Sequence, residues 1–168
     1  MTEKACAWLA SYFETTPKYI AEMLKDEKAT TYLLVWPIFE QMLFDGLMTK
    51  SKIEAIAKKY APYYTEIDKE LSAKHFHDRY QDSRTYHNLR HKENYSYVSD
   101  ILLKTYSDLN SEEKLGLLIY VVYRYRNNIF HGNKGIESWS SYTAQIERCM
   151  NIMMSLLDCA ETHKGEVE

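Results

Sequence analysis

Glycine and proline are scarce, at five and three among 168 residues. So few turn-formers cannot supply the frequent reversals of a sandwich or barrel, and no stretch shows the strict alternation of a half-buried strand. Cysteine is equally sparse. Cys6, Cys149 and Cys159 are odd in number, widely spaced and without a Cys-x-x-Cys pair, which argues against a disulfide framework and for reduced thiols packed as small apolar groups in a cytoplasmic setting. Neither sign of charge prevails: the formal net charge is -3 and the pI about 6.1. Affinity for an anionic partner must therefore come from a local patch. Long apolar runs are missing too. The most apolar stretches, 115–123 and 32–39, fall short of the roughly 20 residues that cross a bilayer. Glu3, Lys4 and Glu14 break up the segment that a secretory signal would need. Neither a membrane span nor a secretory signal is expected.

What is present is helical periodicity, with apolar residues recurring at three and four positions. It predicts an all-α chain, one domain over residues 1–168, with helices near 3–14, 17–26, 29–48, 52–61, 65–80, 95–108, 111–131 and 137–161. The clearest start signal is Asn110-Ser111-Glu112-Glu113, where Asn110 can cap the backbone while Glu113 reaches back. The matching stop is His131-Gly132, because glycine readily takes the left-handed conformation past a helix end. The polar stretch 82–94 has no clear period and is expected to be a long exposed connection.

Two charges fall on apolar faces. On a wheel of about 100° per residue, Leu115, Leu118, Ile119, Val122, Ile129 and Phe130 share one arc, and Arg126 lies in its middle. In the segment after Pro37, a residue suited to a first helical turn, Glu40 lies among Leu43, Phe44 and Leu47. Facing one another between helices would reconcile both charges with burial, so Glu40 is expected to contact Arg126. From the wheel alone, such a pair is as readily a structural ion pair as part of a site.

The residues after the arginine carry more information. Arg126-Asn127-Asn128-Ile129-Phe130-His131-Gly132 resembles the Arg-x4-His motif of the HEPN superfamily, and it ends a long amphipathic helix in the carboxyl-terminal third of a small helical chain. The resemblance rests mainly on residues 111–132, with weaker support from 32–46. It implies an up-down helical bundle with additional short helices, in a symmetric dimer. It also implies RNA cleavage without metal or cofactor, as in toxins and antiphage effectors, with an antitoxin or other regulatory protein as a further partner.

In the family model the histidine, here His131, moves a proton during attack of a ribose 2′-hydroxyl on the adjacent phosphorus, and the arginine, here Arg126, steadies the phosphate oxygens. The chemistry suits these side chains: an imidazole titrates at about 6.5, and a guanidinium offers a permanently charged fork. A regular helix leaves Arg126 and His131 roughly 140° apart, so a site shared across a dimer is expected. Asn127 lies four before His131 and can orient its ring or hold a phosphate. Glu40 and Asn128 are expected to support these groups from behind. Some HEPN toxins carry a tyrosine two residues after the histidine, which a nucleotidyltransferase modifies; Asn133 stands there in this chain, so that route is not implied. Two other readings stay open: a non-catalytic HEPN-like dimer that binds nucleotide, RNA or a protein, and a helical adaptor without an anion site.

One stretch is markedly basic. Lys74, Arg79, Arg84, Arg90 and Lys92 occur with Phe76, Tyr80 and Tyr86 and with four of the six histidines. The composition suits binding of phosphates and stacking of unpaired bases, and equally a solvated helix end and loop. His75 with His77, and His87 with His91, lack a nearby cysteine or well-spaced carboxylate to complete a metal set, so no metal is expected. Fifteen tyrosines are read as packing at core edges or at a dimer interface, with Tyr123 or Tyr125 also able to border an RNA cleft.

Overall fold

Helix-favouring periodicity with few breakers does produce helices, and among the described residues of the computed structural model there is no strand. The structure describes residues 3–23, 25, 27–64, 66–130 and 142–166. In chain order the helices are α1 (Glu3–Tyr12), α2 (Pro17–Met23), α3 (Glu27–Phe44), α4 (Lys50–Tyr60), α5 (Glu66–Tyr80), α6 (Ser83–Arg90), α7 (Ser96–Leu103), α8 (Ser111–Phe130) and α9 (Thr143–Thr162), with a single 3-10 turn at Tyr106–Asp108. No described helix is long and apolar enough to cross a membrane.

The core forms around α8. Every residue from Leu115 to Val122 is buried, so this helix is apolar all round and must be covered on all sides. The covering comes from α4, α5, α6, α7 and α9, while α3 lies along α9. Its start is the expected capping box: Glu113 N–H donates to Asn110 Oδ1 at 2.9 Å, and Asn110 N–H donates to Glu113 Oε2 at 3.1 Å. Helix α1 packs on α2 through a small cluster of Cys6, Ala10 and Ile20, separate from the main core. Cys6 and Cys149 are buried free thiols, as their apolar reading requires.

Four expectations need correction. The stretch 82–94 is not one long connection, since it contains α6. Asp82 Oδ1 accepts from Thr85 N–H at 2.7 Å and from Thr85 Oγ1 at 2.6 Å, so the polar residues read as loop formers are a helix cap. Pro37 does not begin a helix but sits inside α3, on its exposed side. Helix α3 stops at Phe44 and not near 48, because Asp45 and Gly46 both turn left-handed, at φ 52 and 77. The span expected as one helix over 95–108 breaks at Lys104, whose backbone is extended. Residues 131–141 lie outside the described ones, so His131, Gly132 and Asn133 carry no structural statement.

Candidate functional site

Beyond its apolar middle, α8 ends in alternating polar and aromatic residues, and these meet two chain reversals. The first follows α3. Gly46 N–H returns to Glu40 O at 3.1 Å, and the turn brings Met48 N–H to Glu40 Oε1 at 3.0 Å. The second reversal follows α6, where His91 and Lys92 adopt φ 44 and 68 and Glu93 N–H closes on Arg90 O at 2.9 Å. Between these reversals and α8 lies a cleft of 440 Å³. Trp36, Glu40 and residues 47–49 line one side, His91 and Glu93 another, and Tyr123, Arg124, Arg126 and Asn127 the third.

Arg126 and Glu40 meet through an indole. The Arg126 guanidinium carbon lies 5.4 Å from the Trp36 ring centre, and Trp36 Nε1 donates to Glu40 Oε2 at 3.1 Å. A cation over an indole face is attracted by the ring quadrupole, worth about 0.5–2 kcal/mol. Arg126 is only half-buried, and its Nη1 donates to Asn127 Oδ1 at 3.1 Å. Guanidinium, amide and indole are therefore presented together at one cleft.

The sealed arginine is Arg124, at 3% exposure. Its Nη1 is 3.0 Å from Glu93 Oε1, and Lys50 Nζ is 3.0 Å from Glu93 Oε2. One carboxylate thus ties α8, the α6–α7 turn and α4. Burial pushes the Glu93 carboxyl up, but the Lys50 hydrogen bond, together with Arg124, outweighs it and leaves the group below its ordinary value. Arg124 Nε and Asn128 Nδ2 both donate to Leu89 O at 3.1 Å. Leu89 lies in the last turn of α6, where backbone carbonyls lack helical partners, so two α8 side chains hold that helix end in place.

The predicted residues separate accordingly. Arg126, Asn127 and Glu40 line the cleft, whereas Asn128 is buried against α6. His131 lies outside the described residues. The basic stretch is divided between two helices. Lys74 on α5 pairs with Asp78 at 2.7 Å and lies 5.5 Å from the Tyr106 ring centre; Arg79 is half-buried on the same helix. Arg84 and Arg90 belong to α6, with the Arg90 guanidinium 5.8 Å from the Tyr86 ring centre, and Lys92 is exposed beside the cleft-lining His91. Among the described residues no three His, Cys, Asp or Glu side chains gather as metal ligands. Comparison with known proteins finds no matching family model, no similar curated protein and no similar solved structure.

Trp36, Glu93 and Arg124 escaped the sequence reading, and His91 entered it only as half of a metal pair that lacks further ligands; Tyr123 lines the cleft, one of the two tyrosines expected to be able to border it. The wheel places Arg124 opposite the apolar arc, where solvent would be expected. It is buried because α6 covers that side, and α6 was the helix not foreseen. The usable signal was the lack of any polar face between Leu115 and Val122, which demands covering elements all round.

Proposed function

We propose that this chain is a metal-independent RNA endonuclease of the HEPN kind, acting as a homodimer in a toxin or defence role. The observation that carries the reading is the joint presentation of Arg126 and Asn127 at one cleft, at the end of the helix that leads to His131. A guanidinium fork beside an amide can hold two phosphate oxygens. The half-buried Tyr123 ring borders the cleft and offers a surface on which a base can stack, worth about 1–3 kcal/mol.

In this reading His131 moves a proton as O2′ attacks phosphorus and the P–O5′ bond breaks, while Arg126 stabilises the charge on the non-bridging oxygens. Asn127 orients one of these groups, and Glu40 holds Trp36 under Arg126. The products are a 2′,3′-cyclic phosphate and a 5′-hydroxyl. The dimer is supported by the outer face of α3, where Leu33, Leu34, Ile38 and Met42 are 47–66% exposed. Such an apolar patch is unusual on a monomer.

The test is cleavage of RNA in chelator by wild type and His131→Ala. General acid–base chemistry contributes about 10²–10⁴-fold, so the variant is expected to lose at least about 100-fold with an unchanged melting temperature. An inert wild type, or a variant of undiminished activity, would contradict the reading.

A further inference from the structure

We infer that His91 is a second proton-transfer group of the cleft, acting on the same phosphodiester that Arg126 holds; this rests on the RNA-cleavage reading above. Closing O2′ onto phosphorus while O5′ leaves needs two proton movements. One group takes the proton of the 2′-hydroxyl as the O2′–P bond forms, and another gives a proton to O5′ as the P–O5′ bond breaks. Both protons are balanced when two imidazoles begin in opposite protonation states. One His131 can serve one role but not both in a single step.

His91 borders the cleft that would hold the phosphodiester. Its side chain is exposed and lines the cleft with Arg126 and Asn127. The backbone there is held in a costly form: His91 and Lys92 both lie in the left-handed region, at φ 44 and 68, a conformation costing a non-glycine residue about 1–2 kcal/mol. Strain of this kind persists only where surrounding contacts determine it.

Here the contacts are explicit on both sides of the turn. Two residues before His91, Leu89 O accepts from Arg124 and Asn128, both at 3.1 Å. Two residues after it, Glu93 lies 3.0 Å from both Arg124 and Lys50. His91 N–H donates to His87 O at 3.1 Å, closing the end of α6. A network of buried and half-buried groups therefore fixes the turn that carries this imidazole, a side chain able to take or give a proton. The charged groups around that imidazole are Glu40 on α3, Lys50 on α4, Lys92 and Glu93 on its own turn, and Arg124 and Arg126 on α8.

The informative variant is His91→Asn, because asparagine tolerates the left-handed backbone. Wild type, His91→Asn, Arg126→Ala and His131→Ala are compared on a fluorescent RNA in chelator, across pH 5–9. His91→Asn is expected to lower kcat about 100-fold, to leave KM and the melting temperature near wild type, and to remove one limb of a bell-shaped pH profile. Activity within about threefold of wild type, while Arg126→Ala and His131→Ala are inert, overturns the role of His91 and leaves the proposed function standing. Loss with both limbs retained, or loss confined to KM, also overturns it. A wild type that cleaves no RNA overturns the proposed function and this inference together.

Discussion

Arg124→Met removes a guanidinium from the junction of three elements while keeping much of its aliphatic stem. Arg124 is 3% exposed, donates to Leu89 O at 3.1 Å and lies 3.0 Å from Glu93. Hydrogen bonds involving charged groups contribute about 1.5–3 kcal/mol each. Several terms reduce the total. The Glu93 side chain is 37% exposed, so its share is screened by solvent. Leu89 O keeps Asn128, and Glu93 keeps Lys50. The expected cost is about 2–3 kcal/mol, which at this chain length lowers Tm by roughly 5–10 °C. Thermal and urea unfolding followed by circular dichroism reads the loss. A double-mutant cycle with Glu93→Gln should give a coupling of about 1–2 kcal/mol. Hydrogen exchange should show protection falling first across residues 83–93, since those bonds hold α6 and its turn. A loss below about 0.5 kcal/mol, or α6 amides protected as in wild type, would refute the claim that Arg124 anchors this side of the cleft.

Other outcomes follow from the same contacts. A Cβ at Gly116 would lie 2.1 Å from Tyr97 Oη and 2.8 Å from Tyr97 Cζ, so Gly116→Ala should destabilise by about 1–3 kcal/mol, against the gain of about 1 kcal/mol that helix propensity alone predicts; calorimetry decides the sign, and Tyr97→Ala should relieve the clash. Asn110→Ala should cost about 1 kcal/mol in urea titrations, because it removes the acceptor for Glu113 N–H. Glu93 has its carboxyl lowered in the fold, so it contributes stability above the ordinary carboxylate range that is lost as pH falls below it; in acid titrations Glu93→Gln should flatten that decline. Burial, then Arg148 and Arg79, push the His75 imidazole down, so the fold should lose stability as pH falls below about 6.5; His75→Asn should remove that part of the slope. Charging the outer face of α3 with Leu34→Glu and Ile38→Glu should turn a dimer into a monomer by light scattering, and an unchanged mass would rule out this face as the interface.

The helical class and the capping box at Asn110 were legible because they depend on local spacing and on one cap. Glu40 and Arg126 were legible as charges that share an environment, since both depart from an apolar stripe. Their meeting through Trp36 was not, because an aromatic at i-4 from Glu40 reads as ordinary packing. Helix α6 was obscured by its composition: Ser83, Arg84, Thr85, His87 and Asn88 resemble a loop until Asp82 is recognised as its cap. That single omission concealed Arg124, Glu93 and His91, whose placement depends on where α6 and its left-handed turn lie. The end of α3 was also misread, although Asp45-Gly46 is a turn signal of known kind, because apolar periodicity continues through Leu47 and Met48.

The central claim is that Arg126, with Asn127 beside it, holds a ribonucleotide phosphodiester for cleavage without metal. Its most direct test is incubation of wild type and Arg126→Ala, in chelator, with an all-ribose oligonucleotide and with the same oligonucleotide bearing 2′-O-methyl groups. Wild type should cut only the ribose substrate, leaving 2′,3′-cyclic phosphate ends, and Arg126→Ala should fold but cut neither. Equal cutting by a folded Arg126→Ala, or cutting of the 2′-O-methyl strand, would contradict the account.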